Sequence, residues 1–262
     1  MSPGAKSVRN DVKVVQKLLG SGKFVVASIA PSLHAYYDAA EVSKIIRFLK
    51  KVGFSKVEQT SRSTYQVSIE HAKQLRSVES NLISSCCPSV VELIEKYYPD
   101  LIPNIASVMS PMMAHYEILK KEISEPFEMV FIGPCIAKKE EIKNSQIAAC
   151  ITFEELEEWM GSVSIEEAHS EAYFFDDFYS GYFSRYPLPG QLIDIANINK
   201  NEPQNQTITV TGTRNIRQLL ESIRERKVNF RFIEAMACEG GCIMGPARPK
   251  SCKELNYYEL RE

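Results

Sequence analysis

Five of the seven cysteines in this 262-residue chain fall in three short blocks. They read Ser85-Cys86-Cys87-Pro88, Gly133-Pro134-Cys135-Ile136-Ala137-Lys138 and Met236-Ala237-Cys238-Glu239-Gly240-Gly241-Cys242. The blocks lie far apart, yet each sets cysteine beside Pro, Gly or Ala at the end of an apolar run. That is the pattern of loops converging on one soft metal centre. Four thiolates suffice for an iron–sulfur cube, which leaves a fifth sulfur and a lysine over. Zinc is the first rival. Its usual signature is two close cysteine half-sites; here only Cys238 and Cys242 make a close pair, and zinc gives no reason for Cys86 beside Cys87. An odd cysteine count with two adjacent residues suits a secreted disulfide framework poorly, whereas in a reducing cytosol such blocks signal metal binding or thiol chemistry.

Loops of this kind need strands that end together. Residues 24–29 form a continuous apolar run, as expected of a strand buried on both faces, and Ala30-Pro31-Ser32 ends it. Further strands are expected at 56–59, 81–85, 128–132, 148–152, 207–211 and 230–234. Helical periodicity marks 10–19, 40–51, 64–78, the stretch from Pro88 to near Pro99, 107–121, 154–160 and 215–226. This alternation predicts an α/β fold of two lobes, each with a mostly parallel β-sheet flanked by helices, and a site between them. Ligands of parallel sheets gather at the carboxyl ends of strands, and all three cysteine blocks occupy such ends. The expected division is a helical lead-in over residues 1–23, a first lobe over 24–125 and a second over 126–262. The least regular stretch, 161–206, holds Tyr173-Phe174-Phe175-Asp176-Asp177-Phe178-Tyr179 and Tyr186-Pro187-Leu188-Pro189-Gly190. It reads as a long ordered loop with aromatic anchors that covers the site.

The composition, 44% hydrophobic and 24% charged with a net charge of −2, is that of an ordinary globular chain. It gives no electrostatic footprint for nucleic acid. No apolar stretch approaches the roughly 18 residues that span a bilayer, and the first residues lack the apolar core of a signal peptide. The expectation is a soluble cytoplasmic protein that contacts neither nucleic acid nor membrane.

Taken together, the three blocks resemble the catalytic domain of [FeFe]-hydrogenases. That family has a first motif ending Ser-Cys-Cys-Pro, a second of the form Met-Pro-Cys-x-x-Lys and a third of the form Glu-x-Met-Ala-Cys-x-x-x-Cys. Ala30-Pro31-Ser32 and Glu95-Lys96-Tyr97-Tyr98-Pro99 also match, and the likeness runs from about Phe24 to Pro249. The resemblance implies reversible reduction of protons to hydrogen. It implies that Cys87, Cys135, Cys238 and Cys242 hold a [4Fe–4S] cluster, with Cys242 bridging to a diiron subsite carrying CO, cyanide and an azadithiolate, the whole being the H-cluster. Cys86 is implied to pass protons to the azadithiolate amine, and Lys138 to donate to a cyanide ligand. Met236 is implied to pack on the diiron site, and Pro31 and Ser32 to offer donors to cyanide. Implied partners are a ferredoxin-type electron carrier, dedicated maturation proteins, and H2 and protons as substrates. Cys150 and Cys252, with His34, His115 and His169, are read as structural or surface residues.

The chain also departs from the family. Val90 stands where many members have tryptophan, and Gly133 where they have methionine. His71, Gln74 and Ala106 stand near the two glutamates and the serine of the well-studied proton path, which is therefore expected to be absent or rerouted. His71 is either a relay or a solvated helix-face histidine. These changes resemble divergent branches of the family, including those suspected of sensing hydrogen. Two other readings stand beside the enzyme: a hydrogen or redox sensor of low turnover, and an iron–sulfur protein like the hydrogenase-related cluster-assembly factors. Intact Cys86, Lys138 and Met236 weigh against the last, because a cube alone needs none of them.

Overall fold

A computed structural model describes residues 8–79, 81–163, 172–177, 181–198, 206–252 and 255. Helix α1 (Val12–Leu19) leads into β1 (Phe24–Ile29), whose apolar side chains are buried along nearly its whole length. The chain continues through α2 (Ala39–Lys51), β2 (Lys56–Gln59), α3 (Thr64–Leu75), β3 (Leu82–Ile83), α4 (Pro88–Tyr97) and α5 (Pro111–Glu122). After β4 (Phe127–Gly133) and the short α6 (Lys138–Glu141) come β5 (Ala149–Thr152) and α7 (Phe153–Ser162). Two short helices, α8 (Gly181–Ser184) and α9 (Gln191–Ile195), precede β6 (Thr207–Thr211), α10 (Thr213–Arg224) and β7 (Phe232–Met236).

The strands form two sheets, one ordered β2-β1-β4-β5 and one β3-β7-β6, with every pairing parallel. The α/β class and the two flanked parallel sheets are as the alternation predicts. Ile29 lies opposite Ile132, and Ala30 N–H donates to the Ile132 carbonyl at 2.8 Å, so β1 and β4 release their loops side by side. In the other sheet Ile83 lies opposite Ile233, which brings the ends of β3 and β7 together.

Residue 125 does not separate the sheets. β1 and β2 pair with β4 and β5, and β3 pairs with β7, so each sheet draws strands from both halves of the chain. Parallel neighbours need long crossovers, and here the crossovers pass from one sheet to the other. The lead-in also belongs to the first core. Val15 of α1 is fully buried, and Asp11, just ahead of α1, lies 3.7 Å from Lys139 Nζ.

Several element ends differ from the periodicity for local reasons. The fifth helix begins at Pro111 rather than at residue 107, because the Ser110 hydroxyl accepts the Met113 N–H as an N-cap and proline is tolerated in a first turn. Capping boxes set the starts of α2 (Asp38 with Glu41) and α7 (Thr152 with Glu155). Part of the irregular stretch does cover strand and site. Asp176 and Asp177 accept the Val57 and Gln59 N–H groups along the edge strand β2, while Phe178, Tyr179 and His169 lie outside the described residues. Among the described residues no helix is long and apolar enough to cross a membrane.

Candidate metal centre and cavity

The four expected ligand cysteines sit on three loops that leave β3, β4 and β7. Cys87 caps the N-terminus of α4, with Pro88 in the first turn, and its sulfur accepts the Ala237 N–H at 3.5 Å. That contact ties the first block to the third. Gly245 lies against the second block so tightly that a Cβ there would meet the Pro134 carbonyl oxygen at 2.6 Å, and Ala247 N–H donates to that same carbonyl. Gly241, at φ +89°, could take a Cβ only 2.6 Å from the Pro187 oxygen, so the Cys242 loop presses directly on the covering loop.

Burial raises the pKa of the thiols of Cys135, Cys238 and Cys242; for Cys238, pushed up to about 11, the neighbouring Cys135 and Cys87 add to the rise. For Cys242 the thiols of Cys87, Cys135 and Cys238 all raise it further. Thiols that resist carrying negative charge side by side need a cation among them, and metal binding would release their protons. Among the described residues no three His, Cys, Asp or Glu side chains gather closely enough to grip one ion. A tetrahedral zinc site draws its sulfurs to about 2.3 Å from the metal.

Beside these thiols is a cavity of about 90 Å³. Its wall includes Pro31, Ser32, Cys86, Cys87, Cys135, Lys138, Met236 and Cys242. Thus the structure brings every expected site residue except Cys238 to one hollow, and Cys238 lies just behind it in the β7 loop. Cys242 has a large accessible area because it faces the hollow, although protein surrounds it on all other sides.

Cys86 has two polar neighbours. The Tyr186 hydroxyl lies 2.8 Å from its sulfur, and His71 Nε2 lies at 4.0 Å. His71 is fully buried, so the solvated alternative does not hold. Its Nδ1 lies 2.8 Å from the Val67 carbonyl, an acceptor only, which places the ring proton on Nδ1 and leaves the Nε2 lone pair toward Ser85 and Cys86. Burial lowers the His71 pKa to about 4, so the ring is neutral near pH 7. The Cys86 thiol is pushed up to about 12 by burial, against the lowering effects of the Tyr186 hydrogen bond and Lys138. It is therefore a protonated donor at rest.

Two adjacent lysines point apart. Lys139 donates to Glu155 at 2.9 Å and to the Cys150 carbonyl at 2.6 Å, with Asp11 beyond. Lys138 turns to the cavity, where Glu141 takes its ammonium at 2.5 Å. Burial opposes the charge of Lys138, but Glu141 and Cys135 more than restore it, and its pKa rises. Ser32 is buried, and its hydroxyl oxygen has no partner among the described residues. The nearby Tyr36 phenol is committed to the Ile243 carbonyl at 2.6 Å. An anionic group in the cavity would accept from the Ser32 hydroxyl and meet the positive charge of Lys138, which Glu141 already pairs. Glu234, also on the wall, accepts N–H groups of Gly190, Leu192 and Ile193 and so seats α9; burial raises its pKa to about 7.

Residues 23–246 match the family described as iron only hydrogenase large subunit, C-terminal domain. The chain belongs to this family. It is 25% identical to iron hydrogenase 1 of Clostridium pasteurianum over 95% of its own length and 54% of that relative's. It is 23% identical to Protein NAR1 of Arabidopsis thaliana over 90% of its length and 69% of that protein. The chain thus spans about half the length of the first of these relatives. A variant of [FeFe]-hydrogenase HydA1 from Chlamydomonas reinhardtii superposes with a TM-score of 0.70 at 18% identity, covering 97% of this chain and 87% of that one. The shared fold of the iron-only hydrogenase domain is therefore clear, and the relatives are named for different roles, hydrogenase and cluster assembly among them.

Within this family setting, the donor set fits an H-cluster: soft thiols on three loops around one cavity, a buried lysine and a buried hydroxyl without a partner among the described residues. Tyr186 was the residue least visible in the sequence. It lies a hundred positions from Cys86, on a loop whose only signal is its proline and aromatic content, and no short-range spacing predicts the contact. The closeness of His71 to Cys86 was likewise invisible until α3 was packed against β3 and β7.

Proposed function

We propose that this chain is an [FeFe]-hydrogenase that reduces protons to H2 and oxidises H2 reversibly. Cys87, Cys135, Cys238 and Cys242 would hold the [4Fe–4S] cluster, and Lys138, Ser32, Pro31 and Met236 would line a diiron subsite beside it. The bound group would supply redox-active iron and the centre at which hydrogen is made or split. The observation that carries the reading is the meeting of Cys86 and Lys138 on one cavity wall beside the four other thiols, since a cube alone requires neither.

The roles of the chain's own residues follow from their geometry. Cys86 holds a proton on sulfur at the cavity wall and offers it inward, then is reprotonated from behind. His71 Nε2 would take a proton from the Ser85 hydroxyl at 3.3 Å and pass it to the Cys86 sulfur at 4.0 Å, with the Nδ1 proton staying on the Val67 carbonyl and Ser85 regaining its proton from outside. Val67 and Val108, whose carbonyls meet His71 Nδ1 and the Ser85 hydroxyl, line an outer cleft of about 600 Å³ between α3 and α5. Protons would enter from that cleft, in place of the glutamate path that this chain lacks. Lys138 supplies positive charge where anionic ligands would sit, and Tyr186 holds the thiol in orientation. Electrons would arrive from a ferredoxin-type carrier, maturation proteins would install the diiron subsite, and the reducing cytoplasm is the compartment that keeps such thiols free.

A second reading has a specific support: several relatives are named as cytosolic Fe–S cluster assembly factors, among them one from Caenorhabditis elegans at 24% identity. A hydrogen sensor of low turnover would share the enzyme's cluster. The test is to load the protein with a synthetic diiron precursor, record its infrared spectrum and assay H2 with a reduced dye. CO and cyanide bands with turnover are expected. Iron near four per chain with no such bands would favour the assembly reading, and bands with negligible turnover would favour the sensor.

A further inference from the structure

A second buried polar chain reaches the same cavity from the opposite side to His71. Thr60, directly after β2, lines the cavity, and its hydroxyl lies 2.8 Å from that of Ser28 on β1. The Ser28 hydroxyl lies 2.8 Å from His115 Nδ1 on α5, and His115 Nε2 lies 3.4 Å from Glu58 on β2. Ser28, His115, Glu58 and Thr60 are all almost fully buried. A core of this kind is costly unless each polar group is satisfied, yet an apolar set of similar size would have filled the space. Ionised Glu58 can only accept, which places the resting proton of His115 on Nε2. Nδ1 then accepts from Ser28, Ser28 accepts from Thr60, and Thr60, whose hydroxyl begins this chain, stands on the cavity wall.

We propose that His115, backed by Glu58, is a proton holder for the cavity, reached through the hydroxyls of Ser28 and Thr60. A proton leaving a group in the cavity joins the Thr60 oxygen. The Thr60 hydrogen passes to Ser28, the Ser28 hydrogen passes to His115 Nδ1, and the imidazolium so formed faces the Glu58 carboxylate. One proton moves and no electrons do. Reversal returns it. The surrounding charges are consistent with a single shared proton: Arg62 holds Glu58 at 2.5 Å, Lys56 reaches Glu58 at 3.3 Å, and Glu122 of α5 and Asp177 flank Arg62. Burial lowers the His115 pKa while Glu58 opposes the fall, so the ring is neutral near pH 7 and able to receive.

This inference rests on the hydrogenase reading for the identity of the cavity group, and two measurements keep the two apart. Imidazole nitrogen resonances of the 15N-histidine-labelled full chain, without any loaded cluster, are expected to show His115 as the Nε2–H tautomer, titrating below the ordinary histidine value of about 6.5. An Nδ1–H tautomer would overturn the proposal. In the diiron-loaded protein, the CO and cyanide infrared bands are expected to shift with pH at one midpoint that Thr60→Val and Ser28→Ala abolish; Thr60→Val is close to isosteric and leaves the His115–Glu58 pair in place. Bands whose pH response is unchanged in both variants would overturn the proposal while leaving the hydrogenase reading intact. Absence of the bands in the wild type would sink the hydrogenase reading, and the tautomer would then decide the resting polarity of the chain by itself.

Discussion

Cys86 and Cys87 are neighbours with different environments, and the difference is backbone geometry. Cys87 is the extended N-cap of α4 and turns its sulfur toward Ala237, whereas Cys86 faces Tyr186 and His71. Replacing Cys86 with Ala is therefore expected to leave the four-iron cluster bound while cutting turnover by about 10²-fold or more, the usual scale for losing a positioned acid–base group. Replacing Cys87 with Ala should lose cluster iron itself. Iron content measured alongside dye-linked H2 evolution separates the two outcomes. His71→Phe keeps a flat buried ring but removes the Nε2 acceptor, so turnover should fall with little loss of cluster iron. A variant with full activity would show that protons reach Cys86 by another route. The cysteine blocks and Lys138 were legible in the sequence because their chemistry is local. The partners of Cys86 were not, because they come from α3 and from a loop far along the chain.

At the scale of elements, two lysines in one short helix do different work. Lys139 anchors α6 to α7 through Glu155 and to the segment before α1 through Asp11. Lys139→Met leaves the nearly buried Glu155 carboxylate without its cation, while Asp11 keeps Arg9 at 2.6 Å; breaking such a buried pair typically costs roughly 3–5 kcal/mol. Urea unfolding should register that loss, whereas Lys138→Met should disturb the cavity more than the stability. The contact of Gly245 with Pro134 makes a similar distinction. Gly245→Ala would drive a methyl group into the Pro134 carbonyl and separate the loops that carry Cys135 and Cys242. Cluster binding is expected to weaken, read as lost iron–sulfur absorbance, even where far-UV circular dichroism stays unchanged. Strand and helix identity followed from apolar runs and 3.6-residue periodicity. Element ends followed less well, because caps such as Ser110 and the shortness of β3 depend on one or two hydrogen bonds that periodicity does not encode.

Across the whole molecule, buried charge couples stability to pH. Glu58 is held at about 2, since hydrogen bonds from His115 and Arg62 outweigh the raising effect of burial. Its folded value lies below the ordinary 4.5, so its ionised form adds stability above about pH 4.5, and that contribution is lost as pH falls toward 2. Urea unfolding between those values should show the wild type losing stability with acid, and Glu58→Gln, less stable throughout, should show a flatter curve. The sequence by itself determined the set of soft thiols, the α/β class and the placement of cysteine loops at strand ends, because those follow from residue type and short-range periodicity. Only the tertiary structure decided how the two sheets interleave the halves of the chain. It also decided that His71 faces Cys86 and that Ser28, His115 and Glu58 form one buried chain ending at Thr60. Those facts rest on contacts between residues far apart in sequence, which form only when parallel strands and their crossovers pack, and no local pattern carries that information.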